Sequence, residues 1–225
     1  MIPLKNDIPS RTFPFVTLGI IILDVMVYLY QVSLGYHGQE IFVHQMGAIP
    51  FEIIHIIDID PHSAVPIPLT IFTYMFMHGG FLHLLGNMLY LWIFGDNVED
   101  SLGHIRFFLF YLFCGVMAAL IHILSDVNSL SPMVGASGAI AGVLGAYFLL
   151  YPKANVLTLV IFFLFIRTIR IPAVLFLGLW LLIQILNIGS LSPVAWYAHI
   201  GGFICGILLI AFFISKRRGK TKYYL

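Results

Sequence analysis

The sequence predicts an all-α polytopic membrane protein whose six transmembrane helices form a bundle. Of its 225 residues, 60% are hydrophobic and 9% are charged, and the mean hydropathy is +1.00, whereas soluble proteins carry about 25% charged residues. Six apolar segments approach the ~20 residues that a spanning helix needs. The predicted spans are 14–34, 78–95, 106–124, 136–151, 172–188 and 196–214.

Two other segments need a different interpretation. The apolar run 156–166 is shorter than a span and is followed by Arg167 and Arg170. We therefore expect an interfacial or re-entrant segment before the fifth span, and Pro172 suits the first turn of that span. The long segment 35–77 has no obvious periodicity, and its amphipathic composition predicts a position on the outer leaflet.

The basic residues orient the spans. If the N-terminus is cytoplasmic, all eleven Lys and Arg residues fall on the cytoplasmic side, as the positive-inside rule requires. The outer segments 35–77, 125–135 and 189–195 contain none. We expect a multi-pass protein of a prokaryotic plasma membrane with both termini cytoplasmic. Its parts would be a cytoplasmic N-terminus (1–13), a membrane domain (14–214) that includes the long outer loop 35–77, and a basic cytoplasmic tail (215–225).

Four polar side chains fall inside even-numbered spans at a common depth. His83 and Asn87 lie in the second span, Ser137 in the fourth and His199 in the sixth. Polar groups are energetically unfavourable in a membrane, so they indicate a functional site. At about 1.5 Å per residue, all four lie within roughly 5–15 Å of the outer surface. Three helices would thus bring a hydroxyl, two imidazoles and an amide together.

The residues around Ser137 and His199 favour nucleophilic catalysis. Ser137 opens a helix, where unpaired backbone N–H groups suit a developing oxyanion. Gly202 and Gly206 follow His199 and allow another helix to approach closely. If that helix is the fourth span, His199 can serve as general base for Ser137. The alternatives are an N-cap serine and a histidine at the membrane interface.

His83 and Asn87 share one helical face because they are four residues apart. Their side-chain donors suit an oxyanion site, and the alternative is an interhelical hydrogen bond that only packs the helices. Asp24, the acidic residue deep in the first span, lies nearer the midplane than Ser137 and His199. We expect it to be a neutral, hydrogen-bonded acid outside the catalytic group.

Together these patterns resemble the rhomboid family of intramembrane serine proteases over residues 78–214. The matching elements are His78-x4-His83-x3-Asn87, Glu99-Asp100-x2-Gly103-x2-Arg106-Phe107, Gly-Ala-Ser-Gly at 135–138, and Ala198-His199-x2-Gly202-x3-Gly206.

The resemblance implies a six-helix rhomboid-like bundle with a water-filled cavity and lateral substrate access near the second and fifth helices. It implies a serine endopeptidase that cuts transmembrane segments of other membrane proteins. Ser137 would be the nucleophile, His199 the base, and His83 and Asn87 the oxyanion donors, together with the Ser137 amide. The partners would be those transmembrane substrates and the lipid bilayer. No cofactor, metal or nucleic-acid partner is expected, and no oligomeric state is predicted.

Two positions depart from the family pattern. Segment 35–77 lacks the Trp-Arg pair that many relatives carry in the first outer loop. Ala141 occupies the position where some relatives have a Tyr that stacks on the catalytic histidine. Loop 35–77 must therefore be stabilised differently, and His199 must be oriented by another group.

Other functions are weaker alternatives. A catalytically silent rhomboid-like binding or trafficking factor would usually lack the serine or the histidine, and both are present. A haem or metal site of His78, His83 and His199 lacks a His-Glu-x-x-His pattern. Ser–Lys chemistry is excluded because no predicted span contains a lysine.

Overall fold

The computed structural model describes residues 1–59, 65–162, 165–190, 192 and 194–217. Its helices are α1 (Phe15–Ser33), α2 (Gly35–Met46), α3 (Pro50–His55), α4 (Ile67–Thr73), α5 (Phe81–Leu102), α6 (His104–Ser125), α7 (Ser137–Leu150), α8 (Ala173–Leu186) and α9 (Trp196–Arg217). A 3-10 turn (Tyr74–Phe76) follows α4, and the strands are β1 (Ile2–Asn6), β2 (Asn155–Phe162) and β3 (Phe165–Pro172).

Each predicted span contains a helix. The helix ends lie within three residues of the predicted ones, except that α5 continues seven residues further. The end of α9 takes in the first three residues of the predicted tail, and 218–225 lie outside the described residues.

The chain is an integral membrane protein by the length and composition of its apolar helices. Within the described residues, α1, α6 and the Trp196–Phe213 part of α9 are each long and apolar enough to cross a membrane. A fourth span results if Ile67–Phe76 and α5, which are bent by 79° at their junction, count as one. Helices α7 and α8 are apolar but have only 14 residues each. Helix length alone therefore does not establish the predicted six spans.

Helix α7 lies at the centre of the bundle, and glycines bring its backbone against α9. Ten consecutive residues of α7, from Gly138 to Tyr147, are buried. A Cβ atom added at Gly202 would lie 2.1 Å from the carbonyl oxygen of Gly138, and one at Gly206 would lie 2.0 Å from that of Gly142. The helices thus touch backbone to backbone, as the small-residue spacing predicted.

The prediction of an all-α fold is wrong at 156–162 and 165–166, which belong to the two strands of a β-hairpin. The interfacial or re-entrant position expected for this segment stays a prediction. Strand β2 pairs antiparallel with β3 from Asn155↔Pro172 to Phe162↔Phe165. Strand β1 pairs antiparallel with the other edge of β2. The hairpin sequence is rich in the β-branched residues that favour strands, and a third strand makes such a pair independently stable.

The outer segment 35–77 is also more regular than predicted, because α2, α3, α4 and the 3-10 turn lie within it; residues 60–64 are outside the described ranges. Ala48 and Met133 exchange backbone hydrogen bonds of 3.0 and 2.9 Å, and the Phe51 amide donates to the Ser129 carbonyl at 3.0 Å. These backbone contacts stabilise a segment that lacks the Trp-Arg pair.

Candidate active site

Ser137 and His199 are in direct contact. Ser137 is the first residue of α7, and His199 lies in the first turn of α9. The Ser137 Oγ atom lies 2.8 Å from Nε2 of His199, which is hydrogen-bond distance. The contact follows from the packing described above, because the glycines of α7 and α9 bring the two helices together at these ends.

The second ring nitrogen of His199 contacts a residue that the sequence analysis missed. Its Nδ1 atom lies 2.8 Å from Oε1 of Gln184 in α8. The indole rings of Trp180 and Trp196 flank the imidazole, each with its centroid 6.0 Å away. These three residues surround His199, while Ala141 has no ring to stack on it. A signal was available, because Gln184 is an amide near the middle of an apolar predicted span.

His83 and Asn87 lie on the side of α5 that faces the residues just before Ser137. A Cβ atom added at Gly135 would lie 2.7 Å from Cε1 of His83 and 3.7 Å from Nδ2 of Asn87. Gly135 also has a φ of +124°, so glycine is required for both space and backbone conformation. The two predicted donors are thus close to the start of α7.

His78 has a positioning role. Its Nε2 atom lies 3.0 Å from Nδ2 of Asn87, and because an amide NH2 only donates, Nε2 is the acceptor. The backbone of His78 exchanges two hydrogen bonds of 3.1 Å with the Gln31 side chain in α1. His78 therefore fixes the Asn87 amide against the first helix, and the second N–H of that amide stays available.

A cavity of about 950 Å³ connects these groups. Its walls include Ser137, His199, His83 and Asn87, together with aromatic and apolar residues such as Trp180 and Tyr90. None of the lining residues within the described part of the chain is Asp, Glu, Lys or Arg. The cavity lies at the end of the bundle where α5, α7 and α9 begin. This agrees with the prediction that the four polar residues lie at a common depth.

Asp24 is separate from this site. The side chain is fully buried, and neither carboxylate oxygen has a hydrogen-bond partner among the described residues. The expectation of a hydrogen-bonded acid is therefore wrong, because no donor among the described residues lies within hydrogen-bond distance of either oxygen. The Nδ1 atom of His199 contacts Gln184, so the structure places an amide where a triad would have a carboxylate.

The chain is similar to several known membrane proteins. It is 34% identical over 135 residues to RHOMBOID-like protein 5 of Arabidopsis thaliana, covering 60% of this chain and 40% of the relative. It is 31% identical over 165 residues to Rhomboid protein 1, mitochondrial, of Saccharomyces cerevisiae, covering 65% and 42%. It is 38% identical over 138 residues to Rhomboid protease GluP of Bacillus subtilis, covering 60% and 24%.

The chain spans less than half the length of these relatives. They come from a plant, a yeast mitochondrion and a bacterium, so the plasma membrane of a prokaryote stays a prediction. Residues 68–216 match the rhomboid domain, and this region includes every residue of the Ser137–His199 site and the helices that carry them. Because the matched region is well over half of the chain, the protein belongs to the rhomboid family.

Proposed function

We propose that the protein is an intramembrane serine endopeptidase that hydrolyses peptide bonds in or near transmembrane segments of other membrane proteins. The observation that carries the proposal is the 2.8 Å contact between Ser137 Oγ and His199 Nε2 beside an open cavity. Similarity to a protein named as a rhomboid protease supports the same chemistry.

The two side chains would act as nucleophile and general base. His199 Nε2 takes the Ser137 proton as Oγ attacks the substrate carbonyl carbon, and it then returns the proton to the leaving amine. Water deprotonated by the same nitrogen hydrolyses the acyl-enzyme and frees Ser137.

The negative oxygen that develops on the substrate would be stabilised from two helices. The backbone N–H of Ser137 belongs to the first turn of α7 and has no partner within the helix. The Asn87 amide and the His83 ring approach the same region from α5. Hydrogen-bond donors that are already in place around a developing charge commonly make a large contribution to lowering the reaction barrier.

We also propose a membrane arrangement with six spans and both termini cytoplasmic. The positive-inside distribution of Lys and Arg supports this orientation. Helices α7 and α8, each about 21 Å long at 1.5 Å per residue, would cross the membrane together with their flanking segments. The catalytic pair then lies below the outer surface, and substrate helices reach it laterally.

The experiment compares wild type with Ser137→Ala and His199→Ala in proteoliposomes that contain a single-span membrane substrate. Wild type should cleave it and should react at Ser137 with a fluorophosphonate probe. Each substitution should abolish both reactions, and the double variant should lose little more, because the pair acts as a unit. Cleavage by Ser137→Ala above about a tenth of the wild-type rate would exclude the assignment, and a folded wild type that neither cleaves nor reacts would favour a binding protein.

A further inference from the structure

We infer that Gln184 is a positioning residue that sets the tautomer of His199, so that α7, α8 and α9 each supply one member of a Ser–His–Gln group. The inference rests on the proposed function. It adds to that function a requirement that α8 be packed against α9, because only then is His199 held as an active base.

The orientation of the Gln184 amide follows from its two contacts. Its Nε2 atom donates to the carbonyl oxygen of Trp180 at 2.9 Å, and this carbonyl can only accept. The Oε1 atom therefore faces His199, at 2.8 Å from Nδ1. Because an amide oxygen cannot donate, Nδ1 must carry the proton, and in the neutral ring Nε2 is left as the acceptor. Nε2 is the nitrogen that contacts Ser137.

The hydrogen bond between Gln184 and His199 is difficult to break because Gln184 is buried. The side chain is 5% exposed and is surrounded by the apolar residues of α8, which contains no other Asn, Gln, Ser, Thr or charged residue. A buried amide without a partner is unfavourable, so Gln184 and His199 hold each other in place. A neutral amide can orient the ring but supplies no negative charge for the imidazolium, unlike the aspartate of soluble serine proteases.

The contact also couples the catalytic base to α8. In the described part of the chain, Gln184–His199 is the only side-chain hydrogen bond from α8 to another helix. Many side chains along α8 are exposed, including Leu175, Leu179 and Leu182. A movement of α8 away from α9 would break this hydrogen bond, and His199 would then lose the group that fixes its tautomer.

The test measures the rate at which a fluorophosphonate probe labels Ser137, as a function of pH, in Gln184→Leu and Gln184→Glu. The matched control is Asn187→Leu, because Asn187 makes the same type of local hydrogen bond, to the Ile183 carbonyl at 2.8 Å, on the exposed end of the helix. We expect Gln184→Leu to label roughly 10- to 100-fold more slowly, a smaller loss than the ~10⁴-fold effect of a wrong tautomer. The control should be unchanged.

Gln184→Glu separates a positioning role from a packing role. A carboxylate also accepts from Nδ1, so labelling should persist, but its charge favours the protonated imidazole. Activity should therefore disappear at a higher pH on the acid side than in wild type. A wild-type rate and pH profile in Gln184→Leu, or no displacement in Gln184→Glu, would overturn the inference. An inert wild type would instead overturn the proposed function and this inference with it.

A second inference comes from the register of the sheet and does not depend on catalysis. We propose that one face of the sheet binds the head groups of anionic phospholipids. Val156, Thr158 and Pro3 are buried on one face, whereas the residues that alternate with them are half-buried or exposed and form what we call the exposed sheet face. Its members are Ile2, Lys5, Leu157, Leu159, Ile161, Ile166, Thr168 and Arg170.

The exposed sheet face is apolar at one end and cationic at the other. At its base, Lys5 and Arg170 both pair with Leu157 and form a row across the three strands. Roughly 13 Å nearer the hairpin tip, four residues further at ~3.3 Å each, Ile161 pairs with Ile166, and these two side chains are 56% and 67% exposed. In an anionic leaflet, the apolar end would contact the acyl chains and the cationic row would contact the phosphate head groups.

Strand β3 leads directly into α8, where the side chains of Leu175 and Leu179 are exposed. Asp7 interacts electrostatically with Arg170. Its carboxylate accepts hydrogen bonds from the Asn155 backbone and side chain at 2.7 and 2.9 Å. Lys5 and Arg170 are both exposed, so they remain accessible to lipid phosphates.

The test is native mass spectrometry of the protein purified from mixed phosphatidylglycerol and phosphatidylcholine. Wild type should retain phosphatidylglycerol preferentially, and Lys5→Gln with Arg170→Gln should weaken that retention about five-fold for each cation lost. Arg167→Gln is the matched control, because Arg167 pairs with Val160 on the opposite face. Equal retention of both lipids by wild type, or an equal loss in the control, would contradict the proposal.

Discussion

At the scale of single residues, the site depends on hydrogen bonds between polar side chains. Asn87 illustrates this, because its amide both donates to His78 Nε2 at 3.0 Å and borders the cavity beside Gly135. A substitution at Asn87 therefore changes two interactions, and a useful experiment has to separate them.

Asn87→Ala should lower turnover by roughly 10²-fold, the loss typical of one oxyanion donor. It should also reduce the free energy of unfolding by about 1–3 kcal/mol, because the buried His78 Nε2 loses its donor. His78→Ala removes the same hydrogen bond but keeps the Asn87 amide. We expect His78→Ala to lower stability similarly but turnover less; if Asn87→Ala keeps the wild-type turnover per folded molecule, Asn87 only packs the site.

Asp24 gives the opposite case, a buried polar group without a partner. Asp24→Leu should raise the free energy of unfolding by about 1–3 kcal/mol, because the substitution removes an unsatisfied carboxyl from an apolar environment. Thermal unfolding in detergent measures the change. Asp24→Asn should keep at least about a third of the wild-type cleavage rate, since Gln184 and not Asp24 contacts His199. A loss as deep as that of His199→Ala would show that Asp24 participates in catalysis.

At the scale of elements, the contact between α7 and α9 determines whether Ser137 and His199 meet. The backbones touch at Gly142 and Gly206, where even a methyl group meets backbone atoms that cannot rotate away. The distance between Ser137 Oγ and His199 Nε2 therefore depends on glycines one to two turns along the helices.

Gly206→Ala should destabilise the protein by about 1–3 kcal/mol, as overpacking typically does, and should reduce labelling of Ser137 at least ten-fold. The matched control is Gly178→Ala in α8, where an added Cβ meets nothing within 4 Å. This control should keep full labelling and be as stable as wild type or more so, because alanine favours helices over glycine. Equal behaviour of the two variants would show that the close contact is not required.

The elements also show where sequence interpretation succeeds and fails. Long apolar segments predicted every large helix, because hydrophobicity along a helix is a local property. The pairing of β1 with the hairpin could not be predicted from local patterns, because β1 comes from residues about 150 positions earlier. Gln184 was missed because its partner His199 lies on a different helix, and the pairing exists only after α8 and α9 pack.

At the scale of the whole molecule, the two ends of the spans differ. One end carries the cavity and the polar pair, and it is connected by backbone hydrogen bonds between segments 35–77 and 125–135. The other end carries the sheet, and Asn6 of β1 donates a side-chain hydrogen bond to the Ile93 carbonyl of α5. The positions of Ser137, His83, Asn87 and His199 at one end could be predicted from span direction, whereas the sheet required contacts between distant residues.

The pairing of β1 with β2 has a consequence for biosynthesis. Ile2–Asn6 leaves the ribosome well before its partner strand Asn155–Phe162, which is made only after α1, α5, α6 and α7. At typical translation rates this interval is roughly 10–30 s. The nascent chain must therefore insert these four helices while β1 is still unpaired. The sheet therefore closes late. Strand β1 can pair with β2 only if the intervening helices have inserted in an order that brings the two strands to the same side of the membrane.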